Sequence, residues 1–444
     1  METRFLRGGW MVAAVLLAVC SAHGGQARLN VAMGQPVLPA EKKNVTYLKV
    51  GLTGFSWDRR EGHAPLNIAI CLDKSGSMSG EKIRHAKNAA LAALDRLSSN
   101  DIVSVVTFDT HVRVAVPATK LTDRSSVRAA IEDINADGTT ALFAGVSKAA
   151  EELRKFIDRE RVNRIVLLSD GQANVGPASP SDLGALGYSL RKEGISVSTY
   201  GLGLDYNEDL MCQLARRSDG NHYFVEKAAE LGEVFDKEFG NALSVVAQEV
   251  AIKIKCADGI RPVRLLGREG EIAGQRVYVN IASLYAEQEK FVVLEVEVPA
   301  TDAGRSREVG TVEVSYANMA TKTTDKLSST VSVTFSGHTV ECEKAENPKV
   351  MASAVSLVTN EESKRATWLR DQGRIEEAQA VLKESGKQAL DKAERYNDDA
   401  LRSQAKFQWR DADDVAKDGM WKDSRKRMIN NQSGFDQQEG FKKK

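Results

Sequence analysis

Leu66-Asn67-Ile68-Ala69-Ile70-Cys71-Leu72 runs straight into Asp73-Lys74-Ser75-Gly76-Ser77. Seven almost unbroken apolar residues are too few for a helix with one apolar stripe. They suit a strand covered on both faces, the condition of a parallel sheet. The polar loop that ends the run is followed by Lys82–Leu97, where Ile83, Ala86, Ala90, Leu91, Leu94 and Leu97 keep helical spacing. Strand, polar loop and helix in that order make a β–α unit with its chemistry at the carboxyl end of the strand.

The pattern repeats outward from there. Asp101–Phe108 is a second apolar strand, and Val112–Val116 pairs with it as a hairpin. Helices are expected near Ser125–Ile134 and Leu142–Phe156. Asn163–Leu168 is a third buried strand, ending at Asp170. Pro180–Lys192 reads as helix, Ile195–Tyr200 as strand, Glu208–Arg217 as helix and His222–Val225 as a last short strand, with a closing helix from Ala228. Strands alternating with helices predict an α/β fold: a doubly wound, mostly parallel six-stranded sheet over residues 64–240. Ligands of such sheets collect beyond the carboxyl ends of the strands.

Residues 241–340 follow a different period. Val250, Ile252 and Ile254 alternate with polar residues, as do Val292, Leu294, Val296 and Val298, and then Val331, Val333 and Phe335. Turn-forming clusters separate these runs, so an antiparallel β-sandwich is expected. Residues 345–410 turn helical, with Pro348 at a start and Gly373 at a stop. This predicts a helical hairpin, and Gly373–Ala378 resembles half of a tetratricopeptide repeat. Residues 411–444 are polar and read as a disordered tail, with basic residues in 422–427 and at 442–444.

Three strand-end loops carry oxygen donors. Asp73, Ser75 and Ser77 come from the first, another hydroxyl from Asp137-Gly138-Thr139-Thr140, and Asp170 from Leu168-Ser169-Asp170-Gly171. Carboxylates and hydroxyls without histidine or thiolate suit Mg²⁺, with Ca²⁺ or Mn²⁺ as alternatives, rather than zinc. Gly76 is expected to let the first loop turn tightly. No basic partner for the two aspartates is obvious in the sequence, and a cation would relieve their repulsion. Against this stands a metal-free loop whose serines cap the following helix.

The five positions Asp73, Ser75, Ser77, Thr139 and Asp170 resemble the metal-ion-dependent adhesion site of von Willebrand factor type A domains. The flanking Met78–Lys82 and Tyr200-Gly201-Leu202-Gly203 also match. The resemblance implies that the serines and the threonine coordinate the metal directly, that an aspartate acts through water, and that an open position accepts a carboxylate from a partner protein. Asp137 departs from the family's usual glycine; it either tunes the metal from behind its ligands or caps its own loop. The whole order of domains is similar to bacterial exported proteins, distantly to inter-alpha-trypsin inhibitor heavy chains, and to proteins named as calcium-activated chloride channel homologues. In such architectures a strand before the type A domain joins the sandwich after it; Asn44–Gly54, within residues 28–63, is the candidate here.

The remaining signals bound the function. The 444 residues carry 61 basic and 61 acidic side chains, so no net field favours nucleic acid or an acidic membrane. Arg4, Arg7, the apolar run Trp10–Cys20 and the small residues after it read as an export signal over residues 1–27, placing the protein in the periplasm, outside the cell or on its surface. Cys20 raises lipidation as an alternative. Residues 28–43 are expected to form a flexible mature N-terminus. No later stretch is long and apolar enough to span a bilayer, which argues against a channel. In an oxidising compartment Cys256 and Cys342 are a candidate disulfide. No zinc-protease, nucleophile-elbow or phosphate-loop motif is present. The expectation is therefore a non-enzymatic, metal-dependent binding protein, with a purely structural metal and metal-assisted hydrolysis as alternatives.

Overall fold

The computed structural model describes residues 25–57 and 62–438. The chain opens with strands β1 (Arg28–Met33), β2 (Val37–Pro39) and β3 (Asn44–Thr53). The flexible N-terminus expected over 28–43 is thus corrected. Met33 and Leu38 are buried in the core of a sandwich, and that burial outweighs the low hydrophobicity of their neighbours. The export signal read over 1–27, and Cys20 with it, lies outside the described residues as far as residue 24. Ala27 donates its amide to Tyr316 Oη at 2.9 Å, and the Gly25 carbonyl accepts from Asn318 at 2.6 Å.

The α/β unit follows: β4 (Leu66–Asp73), α1 (Glu81–Arg96), β5 (Ile102–Phe108), β6 (Val112–Lys120), α2 (Arg124–Glu132), α3 (Leu142–Arg154), β7 (Val162–Ser169), α4 (Pro180–Lys192), β8 (Ile195–Leu202), α5 (Glu208–Arg217), β9 (His222–Val225) and α6 (Leu231–Leu243). Its six strands lie in the order β6-β5-β4-β7-β8-β9, and all are parallel except β6. Every residue of β4, β5, β7 and β8 is buried, because one apolar layer lies under α1, α2 and α6 and another under α3, α4 and α5. Each Val, Ile or Leu so covered contributes roughly 1.5–3 kcal/mol. Local signals agree with this arrangement. Ser179 and Asp182 form a reciprocal capping box at α4 with Pro180 in its first turn, and Asn207 caps α5.

Strands β10 (Val245–Cys256), β11 (Arg261–Leu266), β12 (Glu271–Ala273), β13 (Arg276–Tyr285), β14 (Glu289–Val298), β15 (Ser306–Asn318) and β16 (Thr323–Ser336) build the sandwich with β1–β3. One sheet runs β1-β3-β14-β11 and the other β12-β13-β10-β15-β16-β2, with only β2 paired parallel. β3 sits in the middle of the first sheet, in register with β14 from Asn44 to Thr53 and with β1 from Leu48 to Thr53. The α/β unit is therefore inserted between two strands of the sandwich. Cys256 and Cys342 are both free thiols. Cys256 ends β10, whereas Cys342 lies on α7 (Thr339–Lys344), which packs on β2 and β16. Two strand spacings, about 10 Å, separate β10 from β16, more than the roughly 7 Å that a disulfide spans between Cα atoms.

The C-terminal region is α8 (Pro348–Asp371), α9 (Ile375–Tyr396), α10 (Asp399–Asp414) and α11 (Trp421–Gln437). The hairpin of 345–410 thus gains a third long helix, α10. The disordered tail of 411–444 is corrected as far as residue 438; residues 439–444 lie outside the described residues. The polar character of this stretch hid its order. Gln404, Gln408, Asp411, Asp414, Ser424, Lys426, Gln432 and Ser433 are buried polar residues, and many pair across helices, as Ser385 Oγ does with Gln408 Oε1 at 3.0 Å and Gln432 Nε2 with Thr367 Oγ1 at 2.9 Å. α11 also ties the α/β unit to the sandwich. Lys426 donates to the Tyr206 carbonyl at 2.8 Å, Phe224 N donates to Asn430 at 2.8 Å, and Gln438 exchanges hydrogen bonds with the Phe291 backbone at 2.7 and 2.6 Å.

Candidate metal centre at the strand ends

Asp73 is the last residue of β4 and Asp170 follows the last residue of the neighbouring β7, so the sheet register alone puts the two carboxylates at one edge. Both are fully buried. Asp73 Oδ1 accepts the Ser75 amide at 2.8 Å, and its other oxygen accepts the Ser169 hydroxyl. Ser75 Oγ lies 3.1 Å from Ser77 Oγ, which donates to Asp170 Oδ1 at 2.7 Å. The serines do not cap the helix that follows. Gly80 holds the N-cap position of α1 without a side-chain bond, and Ser79 donates to the Gly76 carbonyl. Ser75 and Ser77 are thus turned towards the aspartates. Gly76 needs no left-handed backbone here and serves instead by giving its amide to the Gly138 carbonyl at 3.0 Å.

That bond joins the first loop to the second, 137–140. Gly138 has φ +77°, and a Cβ on it would come within 2.8 Å of Thr110 Oγ1, so glycine is required on both counts. Asp137 is exposed and accepts the amide of Gly138 at 2.8 Å, which makes it a cap on its own loop. The two threonines then part. Thr139 is exposed and meets Thr110, side chain to side chain, at 3.0 Å. Thr140 is buried, and its hydroxyl lies on the inner side. A Cβ on Gly171 would stand 2.8 Å from Thr140 Oγ1 and 3.6 Å from Asp73 Oδ2. The structure therefore gathers Asp73, Ser75, Ser77 and Asp170 as the sequence reading expected, but brings Thr140 rather than Thr139 towards them. Asp137-Gly138-Thr139-Thr140 offers two adjacent hydroxyls, and only the alternation of exposed and buried positions tells them apart.

Two further groups were missed. Ser169 Oγ bonds Asp73, and the ammonium of Lys82, the second residue of α1, forms an ion pair with Asp170. The reading that no basic partner is obvious is thus corrected: Lys82, at the start of α1, reaches back to the loop that precedes the helix. Charge compensation is still incomplete. Burial, reinforced by the Asp170 charge, pushes the Asp73 carboxyl up to about 6 in spite of the Ser169 and Ser75 hydrogen bonds. Lys74 is engaged elsewhere, in an ion pair with Asp109 at the end of β5. Burial would raise Asp109, but the Lys74 ammonium and the His111 amide outweigh it and hold its carboxyl below the usual range. The donor set around Asp73 and Asp170 is all oxygen, hard and partly neutral, which fits a hard divalent cation.

Comparison with known proteins agrees with this fold. The family model "von Willebrand factor type A domain" matches residues 67–237. The Escherichia coli protein YfbK is 30% identical over 213 residues, 47% of this chain and 37% of its own length, so the match spans well under half of that relative. The rat inter-alpha-trypsin inhibitor heavy chain H3 is 28% identical over 178 residues, 37% of this chain and 19% of its own. A solved von Willebrand factor type A protein from Catenulispora acidiphila shares the fold well beyond the α/β unit: its TM-score is 0.70 at 16% identity, over 86% of this chain and 90% of its own. Residues 67–237 of this chain are a von Willebrand factor type A domain.

Proposed function

We propose that the strand-end loops hold a divalent cation and that the protein binds a partner protein whose Asp or Glu carboxylate completes the metal's coordination. The observation that carries this reading is the pair of fully buried carboxylates, Asp73 and Asp170, linked through two serine hydroxyls and balanced by a single lysine. Two carboxylates so placed repel each other unless further positive charge reaches them. The cation is Mg²⁺, with Ca²⁺ and Mn²⁺ as alternatives on the same ligand chemistry, held by Asp73, Ser75, Ser77, Asp170 and Thr140. When bound it supplies a Lewis-acidic position that an anionic oxygen can fill.

The reading is of a binding protein and not an enzyme, supported by the match of residues 67–237 to the von Willebrand factor type A domain. It includes export, on the strength of the N-terminal signal pattern. Among the described residues no helix is long and apolar enough to cross a membrane. The insertion of the type A domain into a sandwich supports the role of the rest of the chain as a mount that presents the metal edge.

The test is calorimetric titration of Mg²⁺ into the full chain, followed by a crosslinking pull-down with Mg²⁺ or with EDTA. Metal binding that disappears in Asp73→Ala, together with a partner captured only in Mg²⁺, is the expected outcome. A partner retained both in EDTA and by folded Asp73→Ala would refute the reading. Metal binding that raises thermal stability without any metal-dependent capture would favour a structural metal instead.

A further inference from the structure

A cavity of about 160 Å³ lies where the three parts of the molecule meet, lined from α4 and α5, from β11 and β13, and from α8 and α11. Arg268, in the loop after β11, lines it with a side chain only 7% exposed. One nitrogen of its guanidinium bonds Asp219 Oδ1 at 3.2 Å; Nε and Nη2 are buried without a partner. Buried guanidinium donors rarely stay unpaired, since each costs about 1–3 kcal/mol in lost hydration.

The acids on the same wall are already engaged: Glu269 by Arg216 and Arg217, and Glu361 through one oxygen by Arg264. Asp219 Oδ2 is taken by the Ala282 amide. Asp436 Oδ1 accepts from Asn360 at 2.9 Å and Lys364 at 2.7 Å, and its Oδ2 accepts from Lys364 at 2.6 Å. Arg191 reaches the cavity from α4 and has spent one donor on the Asn280 carbonyl at 2.8 Å. Each acid of the wall already accepts from a base or an amide, whereas two buried donors of Arg268 have no partner, so the missing component at Arg268 is an acceptor.

We infer that this junction is a binding site for a small oxyanion, a phosphate or a short carboxylate, seated against Arg268 with Arg191 at the rim. The volume suits an ion of that size. An anion there would touch the type A domain, the sandwich and the helical region at once, and so fix the angle at which the sandwich presents the metal edge. Gln437 Oε1 on the same wall is also unpaired, and a water bridging it to Arg268 is the competing occupant.

The experiment is calorimetric titration of the full chain, in EDTA and a buffer free of oxyanions, with inorganic phosphate and separately with glutarate. Saturable binding of either supports the site, and which one binds names the ligand class. Arg268→Gln is expected to weaken it about tenfold or more, the size of a lost charge-assisted hydrogen bond. Arg191→Gln, at the rim, is expected to weaken it by a smaller factor. If Arg268→Gln does not fold, Arg191→Gln decides, and unchanged affinity in that variant overturns the site. So does an unchanged affinity in folded Arg268→Gln, or a titration in which neither anion binds saturably and only water is left to fill the cavity.

Discussion

Strand β7 carries a charged group near each end, and the two are treated in opposite ways. Near its start Arg164 is 1% exposed and pairs with Glu238 of α6 at 2.5 Å, while also donating to Ser196 at 3.1 Å and to Tyr285 of the sandwich at 3.2 Å. Glu238 accepts in addition from Ser198, from Asn221 at 2.8 Å and from Tyr223 at 3.1 Å. Burial would raise Glu238, but the Arg164 charge and these donors win and hold it below its ordinary value. Just past the other end, Asp170 pairs with one lysine, and the carboxyl of Asp73 beside it is pushed upwards. A buried charge with its partners built in is structure. A buried charge pair left short of positive charge at the mouth of the sheet is a place for a ligand. Each of the following variants puts strain on that distinction.

The largest effect is expected at the closed end. Glu238→Ala leaves the Arg164 guanidinium buried without its counter-ion and should cost about 3–5 kcal/mol in urea denaturation. The double variant Arg164→Met with Glu238→Leu should recover most of this, because no charge is then left to strand. A Glu238→Ala protein within about 1 kcal/mol of wild type would show that the network is not closed in solution.

Next comes acid. His222, on β9, is buried between Thr199 Oγ1 at 2.9 Å and Tyr206 Oη at 3.4 Å. Burial, with the nearby Lys426 charge, holds its imidazole down at about 4 against the pull of Glu208. Between about pH 6.5 and 4 the unfolded chain therefore binds the proton that the folded chain refuses, and stability must fall as the pH falls through that window. The contribution is about 3 kcal/mol at roughly 1.4 kcal/mol per pH unit. His222→Gln should remove that part of the slope in denaturation series run from pH 7 to pH 4. An identical slope in wild type and variant would place the proton uptake elsewhere.

What the sequence revealed and what it hid divide along a physical line. β4, β7 and β8 are covered on both faces, so burial writes itself into composition and the α/β unit is legible. Asp73 and Asp170 are legible because they end such strands. The helices beyond Tyr396 were not, because α10 and α11 bury glutamine, serine, aspartate and lysine against one another, and a polar interface has no hydrophobic period to read. Lys82 was missed for a different reason: a charge pair depends on where a helical turn returns a side chain, which neighbouring residue types do not encode. Family resemblance alone favours Thr139 over Thr140, and the structure leaves Thr139 exposed and Thr140 buried.

The threonines give the third test and a smaller effect. Thr140→Val keeps shape and removes one hydroxyl from the buried side of the loop. Mg²⁺ affinity should fall about tenfold or more, the size of losses found when even a ligand's support is removed. Thr139→Val should leave it within about a factor of two, near the usual ±0.5 kcal/mol of a surface change. Calorimetry on both variants decides, and the reverse ranking would return the site to Thr139.

The smallest effect separates the two ends of β7 most sharply, because it changes sign. Arg164 and Lys82 each neutralise a buried acid, but Arg164 is locked by several partners, while Lys82 is 32% exposed and holds Asp170 alone. A divalent cation arriving beside Asp170 meets that ammonium and must displace it. Asp205, in the loop before α5, is an acid near enough to feel the Lys82 charge, although Lys422 of α11 already pairs with it at 2.7 Å. Lys82→Met should therefore lower stability in EDTA, where the lysine is Asp170's only cation, and tighten Mg²⁺ binding several-fold. The gain should shrink at high salt, because the charge is partly exposed. No variant of Arg164 should show such a pairing of opposite changes. Mg²⁺ titrations of Lys82→Met at low and high salt, with urea denaturation in EDTA, measure both signs. Weaker Mg²⁺ binding in Lys82→Met would mean that the lysine helps to hold the metal loops in place, and the open end of β7 would then be as fully built as the closed one.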